Sequence, residues 1–249
     1  FWLRGLPPKR WTMPAPVPDS LPTFMLGMPV TPNRHVIFLD GSGGPHSADT
    51  RLRRCGWAVA VIAGHHTVTQ FTAPTIYFGG LPGRVQTTPR SELYALLRAL
   101  QIIPGEVRIK SDCLYVVEGY YRHTDKGSLK PELEHGDLWS QILKLATRAG
   151  PYLGAARFRV ALEKVPAHCG DEQMQNYVLS PGDLYGNGVA DKAAGRGAAL
   201  IEVCETDVEA VREVDRAALS IQRRIVDTTL AAQEAAKIID KANNQGGDE

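Results

Sequence analysis

His35-Val-Ile-Phe-Leu-Asp40, running directly into Gly41-Ser-Gly-Gly44, is the stretch whose reading decides the fold. A short apolar run closed by a glycine turn suits a strand buried in the middle of a sheet. Its last residue is an acid, set where such a strand reaches the sheet edge. Gly56 to Ala63 (GWAVAVIA) reads as a second strand and Thr67 to Tyr77 as a third, with Arg51, Arg53 and Arg54 in the first connection. Three strands in succession predict an antiparallel meander.

Downstream the pattern changes period. After Pro89, the stretch Ser91 to Leu100 repeats Leu93, Leu96, Leu97 and Leu100 at helical spacing. Val107 to Ser111 alternates like a strand and leads into Asp112 and a short helix ending near Tyr121. Residues 123–135 are polar and carry Pro131, which predicts a loop. Gly136 to Arg148 is a predicted helix with Leu138, Ile142, Leu145 and Ala146 on one face. Phe158 to Val165 reads as a strand, the segment Cys169 to Gly186 as irregular, and Asn187 to about Leu200 as an alanine-rich helix. The order β-β-β-α-β-α-α-β-α predicts an α/β domain over 34–203. Its sheet is expected to be mixed and five-stranded, flanked by helices, with parallel pairing in the later crossovers.

The two ends differ from this middle. Residues 1–33 hold Pro7, Pro8, Pro14, Pro16, Pro18, Pro22, Pro29 and Pro32, so an extended lead is expected. Phe1, Trp2, Trp11, Phe24 and Met25 leave open whether it docks on a surface or serves as a tether. From Asp207 to Lys241, Val211, Val214, Ala218, Ile221, Ile225, Thr228, Ala232, Ala235 and Ile239 alternate by three and four, a heptad seam. Either a weak coiled coil or a long helix packed on its own domain or a partner fits that tail, taken as 204–249. Protein partners are therefore expected through residues 1–33 and 204–249.

Composition narrows the class. The chain has 249 residues, 43% hydrophobic and 22% charged, and no apolar run long enough to span a bilayer. A start at Phe1 rather than Met is what a processed product or fragment would have. Pro7, Pro8, Lys9 and Arg10 interrupt any secretory core. Cys55, Cys113, Cys169 and Cys204 form no C-x-x-C pair, so buried free thiols in a reducing, intracellular compartment are expected. The net charge of +1 is low for a nucleic-acid binder, so phosphate must be met by a local patch or by bound cations.

Asp40 and Asp112 end two strands 72 positions apart, Glu92 opens a helix and Asp191 lies early in another. Singly, each has an ordinary reading: a turn residue, a helix cap, a partner of the helix dipole or a solvated acid. Gathered at one sheet edge, they would repel unless a cation intervened. Hard oxygen ligands of this kind suit Mg²⁺ or Mn²⁺.

The segments FLDGSGG (38–44), TTPRSELYALLRAL (87–100), IKSDCLYVVEGY (109–120), DLWSQIL (137–143), VPAHCG (165–170) and GNGVADKAA (186–194) together resemble the type 1 ribonuclease H family. The resemblance covers about residues 34–200 and implies an endonuclease that cuts the RNA strand of an RNA/DNA hybrid. By that resemblance Asp40, Glu92, Asp112 and Asp191 hold two divalent ions, and His168 assists proton transfer or product release. Gly41, Ser42, Thr88, Arg90, Tyr115 and Asn187 fall at positions that imply substrate contacts. The chain departs from the family at Thr88, where an asparagine commonly reads the 2′-hydroxyl, and at Leu114, where a glutamine often reaches the minor groove. The interval from His168 to Asp191 is 23 positions, longer than usual in the family. A retroelement origin fits the resemblance. A reading of another class also follows from the departures and the helical tail: a ribonuclease H fold recruited as a structural or interaction subunit, weakly active or inactive.

Overall fold

In the computed structural model of the chain, residues 3–30, 35–63, 73–103, 107–126, 133–146, 160–166 and 181–245 are described. They group into two compact units, Pro16–Glu202 and the pairing of Phe1–Ala15 with Val203–Glu249.

The larger unit is built on the apolar run. Strand β2 (His35–Ser42) lies inside a six-stranded sheet of order β1-β4-β3-β2-β5-β6. It pairs antiparallel with β3 (Gly56–Ala63) from His35↔Ala63 to Ser42↔Gly56, so Gly41 and Ser42 continue the strand instead of turning. On its other side it pairs parallel with β5 (Val107–Ser111), from His35↔Val107 to Leu39↔Ser111. β4 (Thr75–Gly80) completes the expected meander against β3, and β6 (Val160–Lys164) runs parallel to β5.

The sixth strand corrects the five-stranded expectation. β1 (Phe24–Leu26) comes from the proline-rich lead and pairs antiparallel with β4, Phe24 opposite Phe78. Between Pro22 and Pro29 the chain has six residues free of proline, enough for a short edge strand and no more. Phe24 packs its ring 5.7 Å from that of Phe78, and Thr75 Oγ1 donates to the Met28 carbonyl.

Helices cover both faces of the sheet. On one, α2 (Thr88–Ile102), α3 (Leu114–Lys126) and α4 (Gly136–Ala146) bury Leu93, Leu96, Val116, Trp139 and Ile142 against Ile37, Leu39 and Val59. On the other, α5 (Pro181–Ala199) brings Ala190 to Phe38, Ala60 and Ile62, and Ala193 and Ala194 to Ala58 and Phe78. β2 alternates between the two layers, as a strand buried on both faces must. The alanine-rich composition of α5 has a steric cause: a Cβ on Gly56 would lie 2.1 Å from the Ala198 nitrogen, so only glycine on the strand and small residues on the helix fit. α5 also begins at Pro181, correcting the irregular reading of residues 181–186. Proline favours the first helical turn, where its missing N–H costs nothing.

The smaller unit corrects two further expectations. The lead is not wholly extended, since α1 (Lys9–Thr12) forms one turn after Pro8, whose φ of −59° already suits a helix start. The tail is one helix, α6 (Glu205–Gln245). Its seam is covered at Val211 and Ala218, half-covered at Val214 and Ile221, and exposed throughout 222–241. The Gly5 carbonyl accepts from Gln222 Nε2 at 3.0 Å, and a Cβ on Gly5 would sit 2.6 Å from the Ala218 carbonyl oxygen. Thus the lead occupies the front of the seam, in place of a second helix.

Among the described residues Cys55, Cys113 and Cys204 are free thiols; Cys55 is buried as expected, but Cys204 is exposed and Cys113 half-buried. Cys169 lies outside the described residues. No described helix is long and apolar enough to cross a membrane.

Candidate metal centre

Strand register assembles the centre. Leu39 and Ser111 are partners across β2 and β5, so the next residue of each strand, Asp40 and Asp112, emerges at the same sheet edge. Glu92 lies in the first turns of α2, which packs against β2. It reaches that edge because Gly41 has no side chain: a Cβ there would meet Ser91 Oγ at 2.5 Å and the Glu92 nitrogen at 2.6 Å. One carboxylate oxygen each from Asp40, Glu92 and Asp112 lies within 4.8 Å of the others. Asp40 and Glu92 are buried and Asp112 is half-buried.

Among the described residues, these acids make no ion pair with a basic side chain, and their electrostatics are those of like charges gathered together. Burial pushes the Asp40 carboxyl up to about 7, with the charges of Asp112 and then Asp191 adding to the effect and the Gly41 N–H opposing it. Burial likewise raises Glu92 well above the carboxylate range, reinforced by Asp40 and Asp112. Glu92 Oε2 is buried and accepts no hydrogen bond. Lys164 Nζ is close by, but it donates to the backbone carbonyls of Asp112, at 2.8 Å, and Val165 rather than to a carboxylate. A buried oxygen without a donor beside two converging acids fits a small divalent cation, which supplies the missing positive charge and prefers oxygen ligands.

Family membership is settled at this point. The RNase H family model matches residues 32–199, more than half of the chain. The chain belongs to the ribonuclease H family. Solved structures to which it is similar include a foamy-virus (PFV) RNase H domain, at 21% identity and a TM-score of 0.45, covering 67% of this chain and 94% of that one. A foamy viral protease-reverse transcriptase solved with dsDNA aligns at 19% identity and a TM-score of 0.45, covering 67% of this chain and 95% of that one. LC9-RNase H1, described as a type 1 RNase H with the type 2 active-site motif, aligns at 16% identity and a TM-score of 0.45, over 74% of this chain and 87% of its own. The comparison with curated proteins returned no match.

Apart from His168, the other expected site residues of this ribonuclease H domain lie on β2, α2, α3 and α5. Asp191 is exposed on α5; its charge reaches Asp40, but it stands outside the tight group. Asn187, one turn earlier on the same helix, buries Oδ1 without a partner. Ser42 Oγ accepts from the Gly44 N–H at 3.3 Å. Thr88 opens α2, and its carbonyl accepts from Ser91 Oγ at 2.9 Å. Arg90 forks onto Asp137 of α4, and the Tyr115 hydroxyl accepts from Trp139 Nε1 at 3.1 Å. Leu114, where the family often has a glutamine, is exposed. His168 lies outside the described residues. Two polar groups at this edge escaped the sequence reading: Thr87, whose Oγ1 is buried without a partner, and His135, just before α4. Thr87 opens the segment 87–100 but was given no role there, His135 lies outside every quoted segment, and only the packing marks them.

Proposed function

We propose that this ribonuclease H domain is a metal-dependent endonuclease that hydrolyses the RNA strand of RNA/DNA hybrids, with Asp40, Glu92, Asp112 and Asp191 holding two Mg²⁺ or Mn²⁺ ions. The observation that carries the proposal is the convergence of Asp40, Glu92 and Asp112 within 4.8 Å, with one Glu92 oxygen buried and unpartnered. A cluster that raises its own members' affinity for protons costs stability unless a cation uses it.

Divalent ions bound there would activate the attacking water and stabilise the leaving oxygen of a phosphodiester. The chain's own residues supply the rest. Asp40, buried between the layers, and Glu92, fixed against Gly41, present oxygens from rigid elements. Asp112, half-buried at the end of β5, and Asp191, exposed on α5, would leave room for water and substrate phosphate. His168 is proposed to move a proton or help release the product. Gly41, Ser42, Thr88, Arg90, Tyr115 and Asn187 are proposed to contact the hybrid, with Thr88 and Leu114 shifting the burden of hybrid selection to backbone and phosphate contacts.

End-labelled RNA/DNA hybrid, duplex RNA and duplex DNA are to be incubated with the protein in Mg²⁺ or Mn²⁺, beside Asp112→Asn. The expected result is RNA-strand cleavage of the hybrid alone, abolished in the variant. Absence of hybrid cleavage under both metals would overturn the proposal. A second reading, a structural or interaction subunit, draws support from the exposed Ile225, Val226, Leu230, Ile238 and Ile239 along the second half of α6.

A further inference from the structure

His135 combines three features that no motif explains. It is the one non-glycine residue with positive φ among the described residues, at +57°, a left-handed conformation that residues with a Cβ seldom adopt. Its side chain is only 6% exposed. Its ring sits between two side chains already proposed to contact the hybrid, Arg90 of α2 and Tyr115 of α3.

The contacts are specific. His135 Nδ1 lies 3.4 Å from Arg90 Nη1, and the ring stands edge-on to Tyr115 at 6.2 Å and 88°. The neighbouring Glu134 carbonyl accepts the Tyr115 hydroxyl proton at 3.3 Å. Asp137, two residues on, takes both terminal nitrogens of Arg90, at 2.9 and 2.5 Å. Four groups face the imidazole or its partners: Arg90, Tyr115, Glu134 and Asp137. Burial, with Arg90 beside it, holds the His135 imidazole below its usual pKa, which favours the neutral ring. In that form Nδ1 can accept from Arg90, while Nε2 is buried without a hydrogen-bond partner, 3.6 Å from Glu134 Oε1.

We propose that the turn Glu134–Asp137 is a positioning clamp, with His135 at its centre, that fixes the side chains of Arg90 and Tyr115 for a phosphate of the bound nucleic acid. A left-handed backbone at residue 135 drives the imidazole inward between the two side chains, and a relaxed backbone would release it to solvent. His135 is a positioning residue: nearly buried, it acts through its neighbours. The inference rests on the hybrid-hydrolysis reading for the identity of the strand it serves, but not for the restraint itself.

Three variants test it. His135→Gly keeps the backbone conformation and removes the ring; His135→Asn keeps both the conformation and an acceptor. Asp137→Asn leaves residue 135 untouched and weakens the fork. The expected outcome is a KM for hybrid raised about 3–10-fold in His135→Gly and Asp137→Asn, with kcat within about twofold and KM restored in His135→Asn, the loss corresponding to one hydrogen bond to a charged group. Mn²⁺ titration of the same proteins should give unchanged metal affinity. Unaltered KM in both weakened variants, or a loss of kcat and KM together with melting temperature in all three, would overturn the clamp. The restraint is also read without substrate, from nuclear magnetic resonance of the Arg90 guanidinium: slow Cζ–Nη rotation in the wild type and fast rotation in His135→Gly. A wild-type protein that binds no hybrid yet shows the slow rotation defeats the functional reading and leaves the clamp standing. Fast rotation in the wild type defeats the clamp itself.

Discussion

Lys110 and Asp112 lie two residues apart at the end of β5, yet their surroundings are opposite. Lys110 is largely buried and fully matched: its ammonium meets Asp183 of α5, with Glu163 of β6 3.9 Å away. Asp112 meets Asp40 and Glu92, acids like itself. A protein that matches one charge so closely and crowds like charges beside it has not run out of counter-ions. The first arrangement serves the folded state. The second opposes it, which supports the proposal that a cation from outside occupies the cluster.

The comparison breaks most decisively at the acids. Asp112→Asn is expected to lower hybrid cleavage on the order of 10³-fold in a single-turnover assay, since it removes an oxygen ligand from the cluster. The same substitution should raise the thermal midpoint in EDTA by relieving repulsion on Asp40 and Glu92. A fall there would mean that the cluster is a stabilising network after all.

Lys110→Met should act in the reverse sense. Removing one member of a largely buried pair costs about 2–4 kcal/mol in chemical denaturation. Cleavage by the protein that remains folded should change little.

A third effect, smaller, follows from protonation. Asp40 titrates near 7 in the folded, metal-free chain, above its unfolded value of 3.8, so the native state binds more protons between those limits. Stability contributed by the neutral carboxyl is present below about pH 4 and is lost as pH rises through 7. Melting in EDTA should therefore show the group's contribution declining from pH 5 to 8. The stabilisation added by Mg²⁺ should grow over the same interval, because binding requires the ionised form. A Mg²⁺ increment independent of pH would place the ion elsewhere.

The smallest effect belongs to Arg108, on the same strand and paired with Glu163 at 3.2 Å, both about half exposed. Arg108→Ala should cost less than about 1 kcal/mol, and less still in high salt. Burial, not the presence of a partner, then separates this pair from Lys110.

How far the chain could be read in advance varied by region. The apolar run His35–Leu39, the leucine spacing of α2 and the alternation of Val107–Ser111 carry their structure in local pattern, and β2, α2 and β5 form where that pattern places them. The lead did not read this way. Its prolines argue for extension, but strand β1 depends on a free edge of β4 that no local pattern describes. Residues 181–186 read as irregular from their local pattern, yet they form the first turns of α5. The heptad spacing of α6 is real, but which half is covered depends on Gly5 and its neighbours, more than two hundred residues away.

The sequence by itself determined the strand–helix order from His35 onward, and it set an acid at the end of each of two apolar or alternating runs, because hydrophobic periodicity and a charge at its end are local properties. Only the tertiary structure decided that these acids converge. That required the parallel register of β2 with β5 and a glycine that lets Glu92 approach. The same holds for the inward turn of His135 between Arg90 and Tyr115. Distances between residues remote in the chain are set by packing, and no stretch of sequence contains them.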